Sequence, residues 1–180
     1  MLTTQTRLMT LDEFLALPET KPYTELIDGV PCQKPVGKMR HSRAQWLLPR
    51  LLDRHPATSA GSPWPELGFK FRRTAAGNLR VPDVSYYLPG NIDPDSEEDY
   101  PEVAPDLAAE VRSEGQGLPG LRARLAFLRE QDTRCTLLID PEARTVEVHD
   151  GGRNWTASEH DEVVLEQLNG FSFRVDELFS

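Results

Sequence analysis

A strand–helix–strand unit in the second half of the chain constrains the fold more than any other feature. Asp106–Ser113 contains the apolar run Leu107, Ala108, Ala109 and Val111. Leu118, Leu121, Leu125 and Leu128 then recur at helical spacing, which predicts a helix of about four turns ending near Gln131. Thr133–Ile139 is apolar again and reads as a buried strand. A crossover of this kind is right-handed and joins two parallel strands.

The other elements read as antiparallel. Asp28-Gly29 between Tyr23–Ile27 and Val30–Gln33 is the strongest hairpin signal in the chain. Glu66–Arg73 alternates with period two, with Leu67, Phe69 and Phe71 on one side and Gly68, Lys70 and Arg72 on the other. After a turn at Ala76-Gly77-Asn78, Leu79–Leu88 reads as its partner strand, with Pro82 marking an edge or a bulge. Thr145–His149 is a further strand, followed by a turn at Asp150-Gly151-Gly152. Thr10-Leu11-Asp12-Glu13 fits a capping box and opens a short helix closed by Pro18. His41–Arg54 reads as a second helix with Ala44, Leu47, Leu48, Leu51 and Leu52 on one stripe, and Pro49 should kink or divide it. Pro56–Pro65 and Pro89–Pro105 read as loops, and Val175–Phe179 as a short terminal helix. The expected fold class is α/β (α+β): a mixed central sheet flanked by helices, in one domain spanning residues 1–180.

No run of 18 apolar residues exists in the 180, so no membrane-spanning helix is expected. Met1–Met9 lacks an apolar core, which argues against a secretory signal. Cys32 and Cys135 read as free thiols in a reducing, cytoplasmic compartment. The net charge of −9 hides an asymmetry. Lys34–Arg80 holds ten Lys and Arg against two acids, +8, so the remainder carries −17. A chain acidic overall is a poor candidate for tight non-specific DNA binding, but its basic segment keeps nucleic acid open as a partner. Asp93–Glu102 forms an acidic run inside the second loop.

Asp83 and Glu110 draw attention because each lies within an expected strand. A carboxylate in a half-buried strand costs free energy unless it is paired or binds a cation. On neighbouring strands the two can hold a hard divalent ion such as Mg²⁺, leaving positions for water and phosphate oxygens. The ordinary alternative is a polar sheet face paired with arginines. Arg124 follows Glu110 by 14 residues, on the flank of the leucine stripe. His55, His149 and His160 have no metal-site spacing and read as surface. Glu66 reads as a strand-entry residue. Trp46, Trp64 and Trp155 read as packing residues, with base stacking as the alternative.

The order of motifs resembles the Uma-two family of endonucleases in the PD-(D/E)XK nuclease superfamily. The resemblance covers nearly the whole chain: Leu11-Asp12-Glu13-Phe14-Leu15, Tyr23-Thr24-Glu25-Leu26-Ile27-Asp28-Gly29, His41-Ser42, Val81-Pro82-Asp83-Val84, Ala104-Pro105-Asp106-Leu107, Glu110-Val111-Arg112-Ser113, Leu138-Ile139-Asp140-Pro141, Val146-Glu147-Val148 and Gly170-Phe171. It implies a restriction-endonuclease-like core, phosphodiester hydrolysis of DNA, and Mg²⁺ or Mn²⁺ held by Asp83 and Glu110. The Val111 carbonyl would be a further ligand, and Glu25 an acid that accompanies them at the metal. His41 would touch phosphate or order water. Many nucleases of this fold pair to cut both strands, which makes a homodimer an expectation.

The chain departs from the superfamily pattern at its cation. The usual lysine two positions after the second acid is Arg112 here, and the lysine that many family members carry on the following helix is matched by Arg124. Arginine keeps the charge and binds phosphate bidentately, but is a poor general base. That departure and the acidic loop support an alternative: a catalytically inactive nuclease-fold module that binds nucleic acid or protein.

Overall fold

The computed structural model describes residues 7–71 and 77–180. Helix α1 (Leu11–Leu15) carries the expected capping box at Thr10 and Glu13. The hairpin of β1 (Thr24–Ile27) and β2 (Val30–Gln33) turns through Asp28 at φ 49° and Gly29 at φ 78°. Two successive positive φ angles are what a two-residue hairpin loop of this hand requires. Helix α2 (Met39–Arg54) starts two residues before its expected position and runs unbroken past Pro49, so the expected division does not occur. Ala44, Leu48 and Leu52 bury its inner stripe.

Several further expectations need correction. The loop 56–65 ends in a strand, β3 (Ser62–Pro65), which pairs with β6 as the outermost strand of a sheet. Pro63 and Pro65 obscured it, yet proline is tolerated where one side of a strand needs no ladder bond. Of the described part of the alternating segment, residues 66–71, Phe69–Phe71 forms strand β4, and Glu66 at φ 51° breaks the extended run before it. Lys70 does not face solvent. It is buried and donates to Glu98 in the acidic loop at 2.6 Å. The strand expected over 79–88 divides at Val81-Pro82-Asp83 into β5 (Asn78–Arg80) and β6 (Val84–Tyr87), which belong to different sheets. Ala76, Arg72 and Arg73 lie outside the described residues.

Strand β7 (Leu107–Val111), helix α3 (Leu118–Glu130) and β8 (Cys135–Asp140) form the expected crossover, and β7 and β8 are parallel. Next come β9 (Thr145–Asp150) and β10 (Arg153–Ser158), paired across Gly151-Gly152. The sequence reading missed β10. It is an edge strand made mostly of polar residues, and only Ala157 is buried. β11 (Glu162–Leu165) and β12 (Phe171–Arg174) form a small hairpin, and a 3-10 turn over Val175–Leu178 replaces the terminal helix.

The main sheet has the order β10-β9-β8-β7-β6-β3, and a second has the order β2-β1-β5-β4. Alternation along β7 and β8 assigns their two faces. Leu107, Ala109, Val111, Leu137 and Ile139 pack with α2 and the C-terminal hairpin. Ala108 and Leu138 pack on the other face, under Leu121, Leu125 and Leu128 of α3 and against Phe69 and Phe71. Glu110 shares the α3 face with Ala108 by the same alternation.

Asp150 ties this core together. It is 2% exposed; Oδ1 accepts from the Gln167 amide at 3.0 Å and the Cys135 thiol at 3.3 Å, and Oδ2 from the Glu166 amide at 3.0 Å. Burial raises its pKa, but Arg153 and the Gln167 and Glu166 amides outweigh that and hold it below the ordinary 3.8. Asp150→Ala should cost about 2–3 kcal/mol at pH 7, because two backbone donors lose their acceptor. A carboxylate with a depressed folded pKa contributes above its unfolded pKa and loses that contribution as pH falls through the folded value. The gap between wild type and variant in chemical denaturation should therefore close below pH 3.8.

Candidate functional site

Asp83 and Glu110 converge because of register. β6 and β7 are antiparallel with Val84 opposite Ala109 and Ser85 opposite Ala108. Continued by one residue, that register sets Asp83 opposite Glu110, and opposed residues project from the same face of a sheet. Both side chains line a cavity of about 300 Å³ together with Lys34, His41, Glu66 and Arg124. Asp83 is 2% exposed and Glu110 is 3% exposed.

Asp83 is held on all sides. Its Oδ2 accepts from the Val111 amide at 2.7 Å, and its Oδ1 from Lys34 Nζ at 2.7 Å. Lys34 also donates to the Val81 carbonyl at 2.6 Å, and Gln45 to the Asp83 carbonyl at 3.2 Å. Lys34 reaches the site because its own amide donates to Tyr23 O, which extends the β1–β2 hairpin by one residue. Burial pulls the Lys34 pKa down, but Glu110, Asp83 and Glu25 more than reverse this, so its net shift is upward and the ammonium is retained. The sequence reading did not single out Lys34.

Arg124 organises the other acids. Its guanidinium binds Glu25 through two nitrogens, with Nη2 at 2.9 Å from Glu25 Oε1, and Nη2 also lies 2.9 Å from Glu110 Oε1. Glu25 uses Oε1 again to accept from the Val81 amide at 2.7 Å. Burial pulls the Arg124 pKa down, yet Glu110 and Glu25 drive it upward overall, so it stays charged. Burial, opposed by Arg124 and reinforced by Asp83, pushes Glu110 up to about 7.

His41 is buried on the first turn of α2, with Nε2 3.7 Å from Asp83 Oδ1 and Nδ1 3.0 Å from the Ser113 hydroxyl. Arg112 is placed elsewhere. It donates to Asp140 at 2.7 Å and to the Gln116 carbonyl at 3.1 Å, and does not line the cavity. The structure thus gathers Asp83, Glu110, Glu25, Arg124, His41 and the Val111 backbone, adds Lys34, and leaves Arg112 out. Glu66 stands at the rim, exposed, its amide 3.2 Å from the Asp83 carbonyl.

A family model described as "Uma2: Putative restriction endonuclease" matches residues 11–176. The chain belongs to the Uma2 family. Among solved structures, this Uma2 chain is similar to a "putative nuclease belonging to DUF820" from Anabaena variabilis, at 26% identity and a TM-score of 0.79. The match covers 95% of this chain and 97% of that one. No curated protein matches. The family and the shared fold place the Uma2 chain among proteins of nuclease type. Among the described residues no helix is long and apolar enough to cross a membrane.

The donor set fits a hard cation in kind. Asp83 and Glu110 supply carboxylate oxygens to one cavity, and Mg²⁺ is commonly held by one or two carboxylates with water and phosphate completing its shell. Among the described residues, no three His, Cys, Asp or Glu side chains are arranged to hold a metal by themselves. Any such ion here would therefore rest on two protein carboxylates.

Proposed function

We propose that the chain is a metal-dependent endonuclease that hydrolyses DNA phosphodiester bonds, with Mg²⁺ or Mn²⁺ held by Asp83, Glu110 and the Val111 carbonyl. The observation that carries this reading is the β6–β7 register, which sets two buried carboxylates side by side in a cavity that is also lined by two cations, Lys34 and Arg124. When bound, the ion lowers the pKa of a water and stabilises charge on the phosphate.

The chain's own residues do the rest. The Val111 amide fixes the Asp83 carboxylate, and Gln45 fixes the Asp83 backbone. Lys34 supplies the cation that the usual position, Arg112, does not. Its ammonium already sits in the cavity, where it can stabilise negative charge developing on a phosphate. Ser113 holds His41 by its Nδ1, leaving Nε2 toward Asp83 and the cavity, positioned to order water or touch phosphate.

Helix α2 supplies a surface suited to nucleic acid. Lys38, Ser42, Trp46 and Arg50 follow at four-residue spacing, so they share one stripe that starts beside the cavity. Trp46 is 51% exposed, with the Arg50 guanidinium 4.1 Å from its ring centre and that of Arg43 at 5.6 Å. Exposed aromatic and cationic groups of this kind bind bases and phosphates together.

The test is cleavage of supercoiled plasmid and of single-stranded oligonucleotides with Mg²⁺ or Mn²⁺. Wild type should cut. Glu110→Gln and Lys34→Gln should each lower the rate by about 100-fold or more. No cutting of either substrate by folded wild type would overturn the enzymatic reading. One observation favours the second reading, an inactive binding module: Arg124 occupies Glu110 and Glu25 at once. Under that reading the wild type binds DNA in EDTA but does not cut it.

A further inference from the structure

Arg80 is a buried cation with no described acceptor. It ends β5, is 6% exposed, and its Nε has no hydrogen-bond partner among the described residues. Its guanidinium makes no ion pair among them and lies over the Phe127 ring, 4.3 Å from the centre. Stacking on a ring leaves the N–H donors of a guanidinium unsatisfied, and a buried unsatisfied donor is costly. Arg80 opens into a hollow of about 570 Å³ beside the candidate active site. Gln116 and Arg124 line both spaces, so the two are contiguous.

The opposite wall is the start of α3. This helix has 13 residues, its N-cap is Gly117 with no side-chain cap, and its first turn holds no acid. Its leading amides are thus left for an external acceptor, apart from Pro119, which has none to give. The approach is open: a Cβ on Gly120 would meet nothing within 4 Å, and one on Gly117 nothing nearer than 3.8 Å. The opposing charge is Asp28, which also lines the hollow but accepts from Asn78 Nδ2 at 3.0 Å.

We propose that this hollow is a phosphate subsite in which Arg80 and the first turn of α3 bind a second phosphate of a nucleic-acid strand. The inference deepens the nuclease reading and rests on it for the identity of the strand. The same chemistry suits an internal phosphodiester next to the one being cut or a terminal phosphomonoester.

The experiment is fluorescence-anisotropy binding of a short single-stranded oligonucleotide in EDTA, with its 5′ end phosphorylated or free, over a series of salt concentrations. Inorganic phosphate serves as competitor. The variants are Arg80→Gln and Gly120→Asp. The second sets a carboxylate in open space at the helix start, and so tests the subsite without disturbing packing. Each variant should raise Kd about 5–10-fold and flatten the slope of log K against log salt by about 0.7, one single-strand phosphate contact. A preference for the phosphorylated end that disappears in both variants supports a terminal phosphate. Equal binding of the two oligonucleotides, weakened in both variants, supports an internal one. Wild-type Kd and slope in folded Gly120→Asp would overturn the subsite, as would failure of wild type to bind the oligonucleotide or phosphate. Because binding is read without metal, the variant effects can hold in a protein that cuts nothing. In that case the nuclease reading falls and the subsite stands.

Discussion

Arg124→Ala is expected to destabilise the protein by about 3 kcal/mol at pH 8, and by clearly less at pH 5. The substitution removes the shared partner of Glu25 and Glu110, which are 1% and 3% exposed. Two carboxylates are then left in low dielectric, with Asp83 close by, and Lys34 has to serve all three. The sign of the pH effect follows from Glu110. Burial already lifts its pKa above the ordinary 4.5, to about 7, against the pull of Arg124. Without Arg124 that pKa rises further. A carboxyl whose folded pKa is raised holds its proton in the native state after the unfolded chain has released it, so stability is lost as pH climbs from the unfolded value toward the folded one. At pH 5 most of that loss has not yet accrued. Arg124→Lys keeps a charge but not the fork that spans two carboxylates, and should fall between wild type and Ala. Urea unfolding at the two pH values checks both statements. An Ala variant as stable as wild type at pH 8 would mean that the guanidinium does not hold the two acids together.

The sequence exposed the elements and hid their meeting. Leucine spacing marked α3, and apolar runs marked β7 and β8, because these segments obey the periodicities that packing imposes. Asp83 and Glu110 were visible as charges inside apolar strands. Their proximity was not, since it depends on the register of β6 with β7, which no short motif encodes. Pro82 signalled an irregularity, but not that it hands the chain from one sheet to another, the step that presents Asp83 at the cavity. Lys34 was hidden by its type and its place. It sits 49 residues before its carboxylate partner, and a lysine after a hairpin strand ordinarily reads as solvated charge. The usable signal was the hairpin itself, which carries Glu25 on one strand and Lys34 just past the other, and so delivers an acid and a base to one place. Arg112 shows the reverse. Its position after Glu110 matched a motif, yet Asp140 holds it away from the cavity.

Saturating Mg²⁺ or Mn²⁺ should raise the melting temperature of wild type by about 5–10 °C over EDTA, and should leave Asp83→Asn unmoved. A ligand present at 100 times its Kd that binds only the folded state adds about 2.7 kcal/mol. For a chain of this length each kcal/mol shifts the midpoint by about 2–4 °C. Asparagine is chosen because it can still accept from the Val111 amide and so keeps the β6–β7 junction intact. Either change takes the Oδ1 acceptor from Lys34, which keeps the Val81 carbonyl, but alanine would also leave the Val111 amide without its acceptor and mix a folding defect into the readout. The shift has a specific origin in this site. Once Glu110 is ionised, the carboxylates of Asp83, Glu25 and Glu110 outnumber by one the cations paired with them, Lys34 and Arg124. Asp83 and Glu110 would hold a divalent ion, whose two positive charges would more than offset that excess, and Lys34, 2.7 Å from Asp83 Oδ1, would stand beside it to meet a phosphate. Glu147→Gln, which breaks an exposed pair with Arg122 on the outer surface, should show the full wild-type shift. An equal rise in Asp83→Asn would locate the ion away from Asp83, and no rise in any of the three proteins would leave Lys34 and Arg124 as the permanent occupants of a site that binds DNA without cutting it.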